Sequence, residues 1–407
     1  MRYSFASRAE WMLSSPREMA RVHSRHDSLI TLAEELPAEE LFPLSSLQAA
    51  AMAVISSDGK ALQYGELDGY IPLREWVAEW MRGKGVHTQL EQLLLTTGTQ
   101  QAMDLVARVY VDAGDPVLVQ SPSSPGWLQI LKMQGAHIVP VEGDGDGISI
   151  ELLRQALQTY HPKLLIVSPN FSNPTGVLWS MERRQQVLEL CRQHDVLIVE
   201  DDSYGDLCFK NKGRSFLEKY SSLYALDGGD ENGQVLYVGS FSKTVAPALR
   251  TGWAAGSSKL IQVMAQAKQL ADWQSSTLNQ RMLHYLLDST SFNLQEHIKV
   301  LNREYEVRLQ LMLELLRRPR WRGVSYNVPE GGMFLWIKLP EGLDCRALLK
   351  AARKKGVIFL PGTLCYVYQN SGGVDHIRLN FTHPGRDELL LGMNLINEAI
   401  QEFQARN

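Results

Sequence analysis

The stretch YVGSFSKTVAPALRTGW (residues 237–253) sets a lysine just behind two serines. Lys243 carries a primary amine, which can condense with an aldehyde. In isolation such a lysine reads equally well as a surface residue in a turn. Its company changes that reading. Asp201 and Tyr204 lie in VEDDSYGDL, Asn173 in SPNFSNPTG, and Arg378 in HIRLNF. Gly98, Thr99 and Gln100 open a helical pattern in LLLTTGTQQAMDL. A phosphate dianion is best met by backbone amides at a helix start, by hydroxyls and by an arginine. Thr99, Gln100, Ser240, Ser242 and Arg250 supply that set. A ring nitrogen that must stay protonated calls for a carboxylate, and Asp201 supplies it. An amino-acid carboxylate calls for an arginine fork, the part of Arg378. Together these are the needs of pyridoxal 5'-phosphate. Lys243 would hold it as a Schiff base, and Asn173 and Tyr204 would donate to its phenolic oxygen.

The elements around these residues have to bring them together. Strand patterns fall at residues 92–97, 116–120, 137–141, 163–168, 196–200 and 235–239. Helical patterns such as 99–111 and 181–194 lie between them. Such alternation predicts an α/β fold with a mainly parallel sheet covered by helices on both faces. Ligands then sit at the carboxyl ends of the strands, where the candidate residues fall. A helical stretch over 289–317 leads into a second, smaller α/β region. The expected division is an N-terminal segment 1–45 packed on the small domain, a large cofactor-binding domain 46–288, and a small domain 289–407. The N-terminal segment carries one short helix and a proline-punctuated stretch, 36–43.

Composition narrows the function classes. At 407 residues, 44% hydrophobic and 21% charged, the chain reads as an ordinary soluble globular protein. A net charge of −4 argues against a nucleic-acid footprint. The first residues, MRYSFASRAEWMLSSPRE, interrupt apolar positions with charges, unlike a signal peptide. No apolar run approaches the roughly 18 residues of a membrane span. Cys191, Cys208, Cys345 and Cys365 lack metal-ligand spacing, so reduced thiols in a cytoplasmic protein and no metal are expected. GDGDG (143–147) reads as a turn before a helix near Ser149; His376 and His383 read as packing or surface residues, and Lys354–Lys355 as a solvated helix end.

In order and spacing the motifs resemble the fold-type I pyridoxal-phosphate enzymes of the class I/II aminotransferase family. They are most similar to the branch of the 2-aminoadipate aminotransferases and the effector domains of MocR-type regulators. The likeness runs from ELFP (40–43) through LQYGELDGYIPLREW (62–76) to PEGGMFLW (329–336) and PGTLCY (361–366). It implies that Lys243, Asp201 and Tyr204 are catalytic, that Asn173 and Tyr204 serve the phenolic oxygen, and that Arg378 and Asn173 face substrate. It also implies that Tyr64, in LQYG, reaches the phosphate of a neighbouring subunit, hence a homodimer with shared active sites. The implied reaction moves an amino group between an α-amino acid and a 2-oxo acid, in amino-acid metabolism.

Three positions depart from the family pattern. Glu34 and Glu35 stand where two glycines are usual, next to bound substrate. Either one of them faces a cationic substrate side chain, or the segment is reshaped and both face water. Ser124 stands where a tyrosine usually stacks on the cofactor ring, so Trp127 or another aromatic reaches in, or that face is open. Gln120 replaces a usual glutamate, with a structural role expected. These departures keep a second reading in view: a biosynthetic pyridoxal-phosphate enzyme performing cyclisation, elimination or oxidation of a modified amino acid, a basic one included. A non-enzymatic MocR-type sensor is a weaker third reading, because ELFP begins at residue 40 and leaves no room for a winged-helix domain ahead of it.

Overall fold

Runs of leucine, valine and isoleucine bounded by turns make strands that are covered on both faces. The structure, a computed structural model, describes residues 4–6, 8, 12, 29–57, 59–209, 220–229, 231–368 and 372–405. In chain order the first strands are β1 (Ile30–Thr31), β2 (Leu93–Thr96), β3 (Pro116–Ser121), β4 (His137–Asp144) and β5 (Gly147–Ile148). Next come β6 (Leu164–Val167), β7 (Leu197–Asp201), β8 (Val235–Ser240) and β9 (Gly252–Ala255). The last are β10 (Ser325–Tyr326), β11 (Phe334–Lys338), β12 (Val357–Ile358), β13 (Leu360–Pro361) and β14 (His376–Asn380).

Eight strands form one sheet in the order β2-β9-β8-β7-β6-β3-β4-β5. The central run from β8 to β4 is parallel. At one edge β9 runs antiparallel to both β8 and β2. Side chains alternate across the sheet. Leu94, Val117, Val119, Ile166, Val199 and Val238 pack under helices Thr99–Tyr110, Pro125–Gln134 and Ser258–Asp272. Leu93, Leu95, Leu118, Val167, Ile198 and Tyr237 pack on the other face, with Ile71–Arg82, Met181–Gln193 and Thr277–Asp288. The fold class is therefore the expected α/β one. Two strands of this sheet are missing from the expected set: the short β5, which starts in the GDGDG turn, and β9, whose first two residues end the lysine motif.

A second sheet, β10-β11-β14-β13, is antiparallel throughout. Helices Leu294–Leu316, Cys345–Lys355 and Arg386–Gln404 share its core, around Leu313, Phe334, Leu348, Leu379 and Met393. β1 pairs in parallel with β12, which ties the N-terminal segment to this region. Most of that segment before Leu29 lies outside the described residues; in the rest, Glu39–Leu41 forms a single 3-10 turn. The long helix begins later than its pattern predicts. Asn293 accepts from the Glu296 amide at 3.1 Å and caps it there, while Ser289 and Ser291 bond each other in the turn ahead.

The GDGDG segment is the tight β4–β5 hairpin, followed by a helix capped by Ser149. His376 bonds Asp375 at 2.7 Å and stacks on Trp336. Lys355, at a helix end, pairs with Glu402 at 2.6 Å. All four cysteines are free and buried. Among the described residues, no helix is long and apolar enough to cross a membrane, and no cluster of His, Cys, Asp or Glu could hold a metal ion.

Candidate active site

β7 and β8 are parallel neighbours, with Asp201 in register with Val238. The acid at the end of β7 and the lysine just past β8 therefore emerge at the same edge of the sheet. Alternation along β7 turns Glu200 away from Asp201: Glu200 accepts the amides of Leu223 at 2.9 Å and Tyr224 at 3.0 Å. Burial, reinforced by Asp202, raises Glu200 to about 7. Asp201 accepts from the Ser203 amide at 3.0 Å and the Ser203 hydroxyl, and from Trp127 Nε1 at 3.2 Å. Burial still raises it to about 6. A carboxylate so desolvated gains most from a cationic partner such as a protonated ring nitrogen.

The anion cradle forms where β9 returns beside β8. Gly98, the N-cap of helix Thr99–Tyr110, has φ +80° and ψ 175°, a region open essentially to glycine alone. A Cβ there would lie 2.7 Å from Arg250 Nη2, which itself donates to the Thr97 carbonyl at 3.0 Å. The glycine leaves the first helical amides, at Thr99 and Gln100, without a side-chain cap. The hydroxyls of Ser240 and Ser242 stand 3.0 Å apart on the facing turn, and Ser240 Oγ also accepts the Ser242 amide.

Lys243 is desolvated, which lowers its pKa; the charges of Glu35, Arg378, Asp201 and Arg250 also act on it. Its Nζ donates to the Glu35 carbonyl at 2.5 Å and lies 5.9 Å above the Tyr204 ring. Arg378 reaches the same place from β14, in the other sheet. Its guanidinium lies 4.1 Å above the Phe334 ring and donates to Ala33 O at 2.6 Å, Asn173 Oδ1 at 2.6 Å and Glu35 Oε1 at 3.0 Å. Tyr204 donates to Glu35 Oε2 at 3.3 Å, and burial raises its pKa well above the usual value.

The structure thus brings Lys243, Asp201, Tyr204, Asn173 and Arg378 to one cleft, with Gly98, Thr99, Ser240, Ser242 and Arg250 at its large-domain end. Gln100 is exposed in the first turn of its helix. Glu35 turns inward onto Arg378, with its side chain still partly exposed. Glu34 is held through its carbonyl, which accepts from Asn380 Nδ2 at 2.7 Å. Trp127 reaches the Asp201 end of the site, and Gln120 accepts the Ser168 amide at 2.8 Å, a structural part. Tyr64 is not in this cluster; it is 76% exposed, edge-on to Trp273. Ser203 was not among the expected site residues, although a serine two residues after an aspartate is the usual signal of an Asx turn.

These groups fit pyridoxal phosphate on their own chemistry. The glycine cradle leaves room and amides for a phosphate, the desolvated acid suits the ring nitrogen, and the desolvated amine suits the aldehyde. That combination, at the carboxyl edge of one sheet, is what a fold-type I pyridoxal-phosphate enzyme requires.

Comparison with known proteins specifies the family. The model of the aminotransferases of class I and II matches residues 33–390. A 2-aminoadipate transaminase of Thermus thermophilus is 35% identical over 393 residues, 96% of this chain and 95% of that one. An aromatic-amino-acid aminotransferase of Thermococcus litoralis is 33% identical over 406 residues, 98% and 94% of the two chains. The crystal structure of an α-aminoadipate aminotransferase from Thermus thermophilus, complexed with N-(5'-phosphopyridoxyl)-L-leucine, is similar with a TM-score of 0.85 and 34% identity. The match covers 98% of this chain and 100% of that one. The chain belongs to the class I and II aminotransferases. It is a pyridoxal-phosphate-dependent transaminase of amino acids and 2-oxo acids.

Proposed function

We propose that Lys243 is the amine that carries the cofactor and moves the substrate proton, with Asp201, Tyr204, Asn173 and Arg378 arranged around it. One observation carries this reading: residues 173, 201 with 204, 243 and 378, four segments far apart in the chain, meet in a single cleft between the two sheets. Pyridoxal phosphate, when bound, supplies an aldehyde for the amino group and a ring that takes up the electrons left at Cα. Gly98, Thr99, Gln100, Ser240, Ser242 and Arg250 hold the phosphate. Asp201 keeps the ring nitrogen protonated. Asn173 and Tyr204 donate to the phenolic oxygen.

Arg378 binds the α-carboxylate of the donor and so fixes which bond at Cα faces Lys243. Its Nζ then takes the Cα proton. Burial favours the neutral amine that this step needs. Nζ then gives that proton up, water supplies the oxygen of the departing 2-oxo product, and the amino group stays behind in the site; a 2-oxo acceptor enters and the residues act in reverse, a ping-pong cycle. The relatives' names support 2-aminoadipate and aromatic amino acids as first donors to try.

The chain divides into a large domain, 46–288, a small one, 289–407, and an N-terminal segment, 1–45, associated with the small one. The assembly is a cytoplasmic homodimer in which Tyr64 serves the neighbour's phosphate. Leu62, Tyr64, Leu270 and Trp273 support that: all are more than half exposed, an apolar set suited to a second copy.

The test is a half-reaction. Mixed with an α-amino acid and no acceptor, the holoenzyme should lose the absorbance of its lysine-bound cofactor and gain that of the amine form. Failure across a broad panel of amino acids would refute transamination by this site.

A further inference from the structure

Glu35 spans the site in a way that one residue in place of a glycine need not. Its carbonyl accepts from Lys243 Nζ at 2.5 Å. Its carboxylate accepts from Arg378 Nη1 at 3.0 Å and Asn173 Nδ2 at 2.6 Å through Oε1, and from Tyr204 at 3.3 Å through Oε2. It therefore bridges the reacting amine and the carboxylate fork, the distance that an α-amino acid must itself bridge. Burial alone would raise its pKa, but the charges of Arg378 and Lys243 and hydrogen bonds from Arg378 and Asn173 hold it at about 2. It is an anion at any working pH.

The Nη1 side of the fork is full, while the Nε proton is buried without a partner. Both protons of Arg378 Nη1 are engaged, by Glu35 and Asn173, and one of Nη2 by Ala33 O. An end-on bidentate grip on an incoming carboxylate uses one proton from each terminal nitrogen, so it requires Glu35 or Asn173 to yield, and Glu35 holds the longer contact, 3.0 Å against 2.6 Å. Its main chain is tied down on both sides. Leu32 N donates to Ile358 O at 2.8 Å, Asn380 Nδ2 to Glu34 O and Leu36 O, and Thr382 Oγ1 to Leu36 O. The Glu35 side chain is 36% exposed, against 2% for Arg378. Rotation of that side chain is the available motion, and it leaves the carboxylate beside the bound donor. A desolvated carboxylate separated from its arginine is costly until another cation meets it.

We propose that Glu35 determines donor specificity: it competes with the donor's α-carboxylate for Arg378 and, once displaced, favours donors whose side chain carries an ammonium or guanidinium. The proposal rests on the reading of Arg378 as the carboxylate fork. It predicts that holoenzyme E35Q binds propionate, a carboxylate without an amine, about tenfold more tightly than wild type in an absorbance or calorimetric titration. In the half-reaction, the preference for L-lysine over L-norleucine should fall about tenfold in E35Q, chiefly through a lower KM for norleucine. E35D keeps the charge on a shorter arm and should lie between the two. Equal propionate affinity in wild type, E35D and E35Q overturns the proposal if R378K still weakens that binding. Propionate binding indifferent to R378K overturns the reading of the fork along with it. An unchanged lysine-to-norleucine ratio in E35Q overturns the cationic preference.

Discussion

The two ends of the cleft are built differently. The end proposed for the phosphate gathers Gly98, Ser240, Ser242 and Arg250, held by three strands of one sheet and grouped in two short motifs. The carboxylate end draws Glu35, Asn173, Tyr204 and Arg378 from four distant segments across both sheets. The first end depends on backbone conformation and on a glycine where any side chain is strained and meets Arg250. The second depends on the rotamers of side chains that satisfy one another. The cofactor end is therefore rigid and general, while the substrate end can change through one residue. In the proposed mechanism Lys243 and Asp201 stand between the two and serve both.

The largest effect falls on that shared centre. K243A should lower turnover by about 10⁴-fold or more, because positioned proton transfer alone is worth roughly 10²–10⁴. The protein should still bind the cofactor weakly, with no absorbance of the lysine-bound form. A single-turnover assay measures the first, and a spectrum the second. Turnover near that of wild type would remove Lys243 from the mechanism.

D201N should follow, with kcat down by about 10²–10³, by analogy with the loss of one preorganised electrostatic partner. It also has a pH signature in the cofactor-free protein. Asp201 is held at about 6 in the fold, against an unperturbed 3.8. Between those values the folded state binds more protons than the unfolded one. Stability is therefore fullest below about 4 and falls as pH rises through about 6. Glu200, raised to about 7, acts in the same direction. Urea unfolding at pH 5 and pH 7 should give a smaller difference for D201N than for wild type.

The residues of both ends were named from the sequence, but only at the phosphate end was their arrangement readable. GTQ after a strand and SFSK after another are local patterns, and the backbone they need is set within a few residues. β9 escaped notice because its four residues, Gly252–Ala255, make sense only as the strand returning between β8 and β2. Arg378 was named from its motif, yet the inward turn of Glu35 was not readable. Side-chain torsions decided by Arg378, Asn173 and Tyr204, more than a hundred residues away, carry no local signal. Trp127 was named as one aromatic to reach into the site, but its bond to Asp201, 74 residues on, was not readable.

G98A sharpens the contrast from the rigid side. Alanine at φ +80° and ψ 175° costs about 1–3 kcal/mol, and the new methyl meets Arg250. Cofactor affinity should drop roughly ten- to hundredfold, measured by equilibrium dialysis, while the donor KM of the loaded enzyme changes little. A donor KM that moved with it would mean that the two ends are not separable.

The smallest effect is expected at Tyr64, which in this chain faces outward next to Trp273. If its hydroxyl serves the neighbour's phosphate, Y64F loses about 1 kcal/mol of cofactor binding, roughly fivefold in affinity. The sharper test is an equal mixture of two variants. A dimer of one Y64F chain and one K243A chain contains one site with an intact lysine and an intact tyrosine, each from a different subunit. Subunit exchange should therefore restore wild-type cofactor affinity to half of the lysine-bearing sites at most. With Tyr64 acting in its own subunit, every lysine in the mixture would keep the weakened affinity of Y64F, and the phosphate end would belong to a single chain like the carboxylate end.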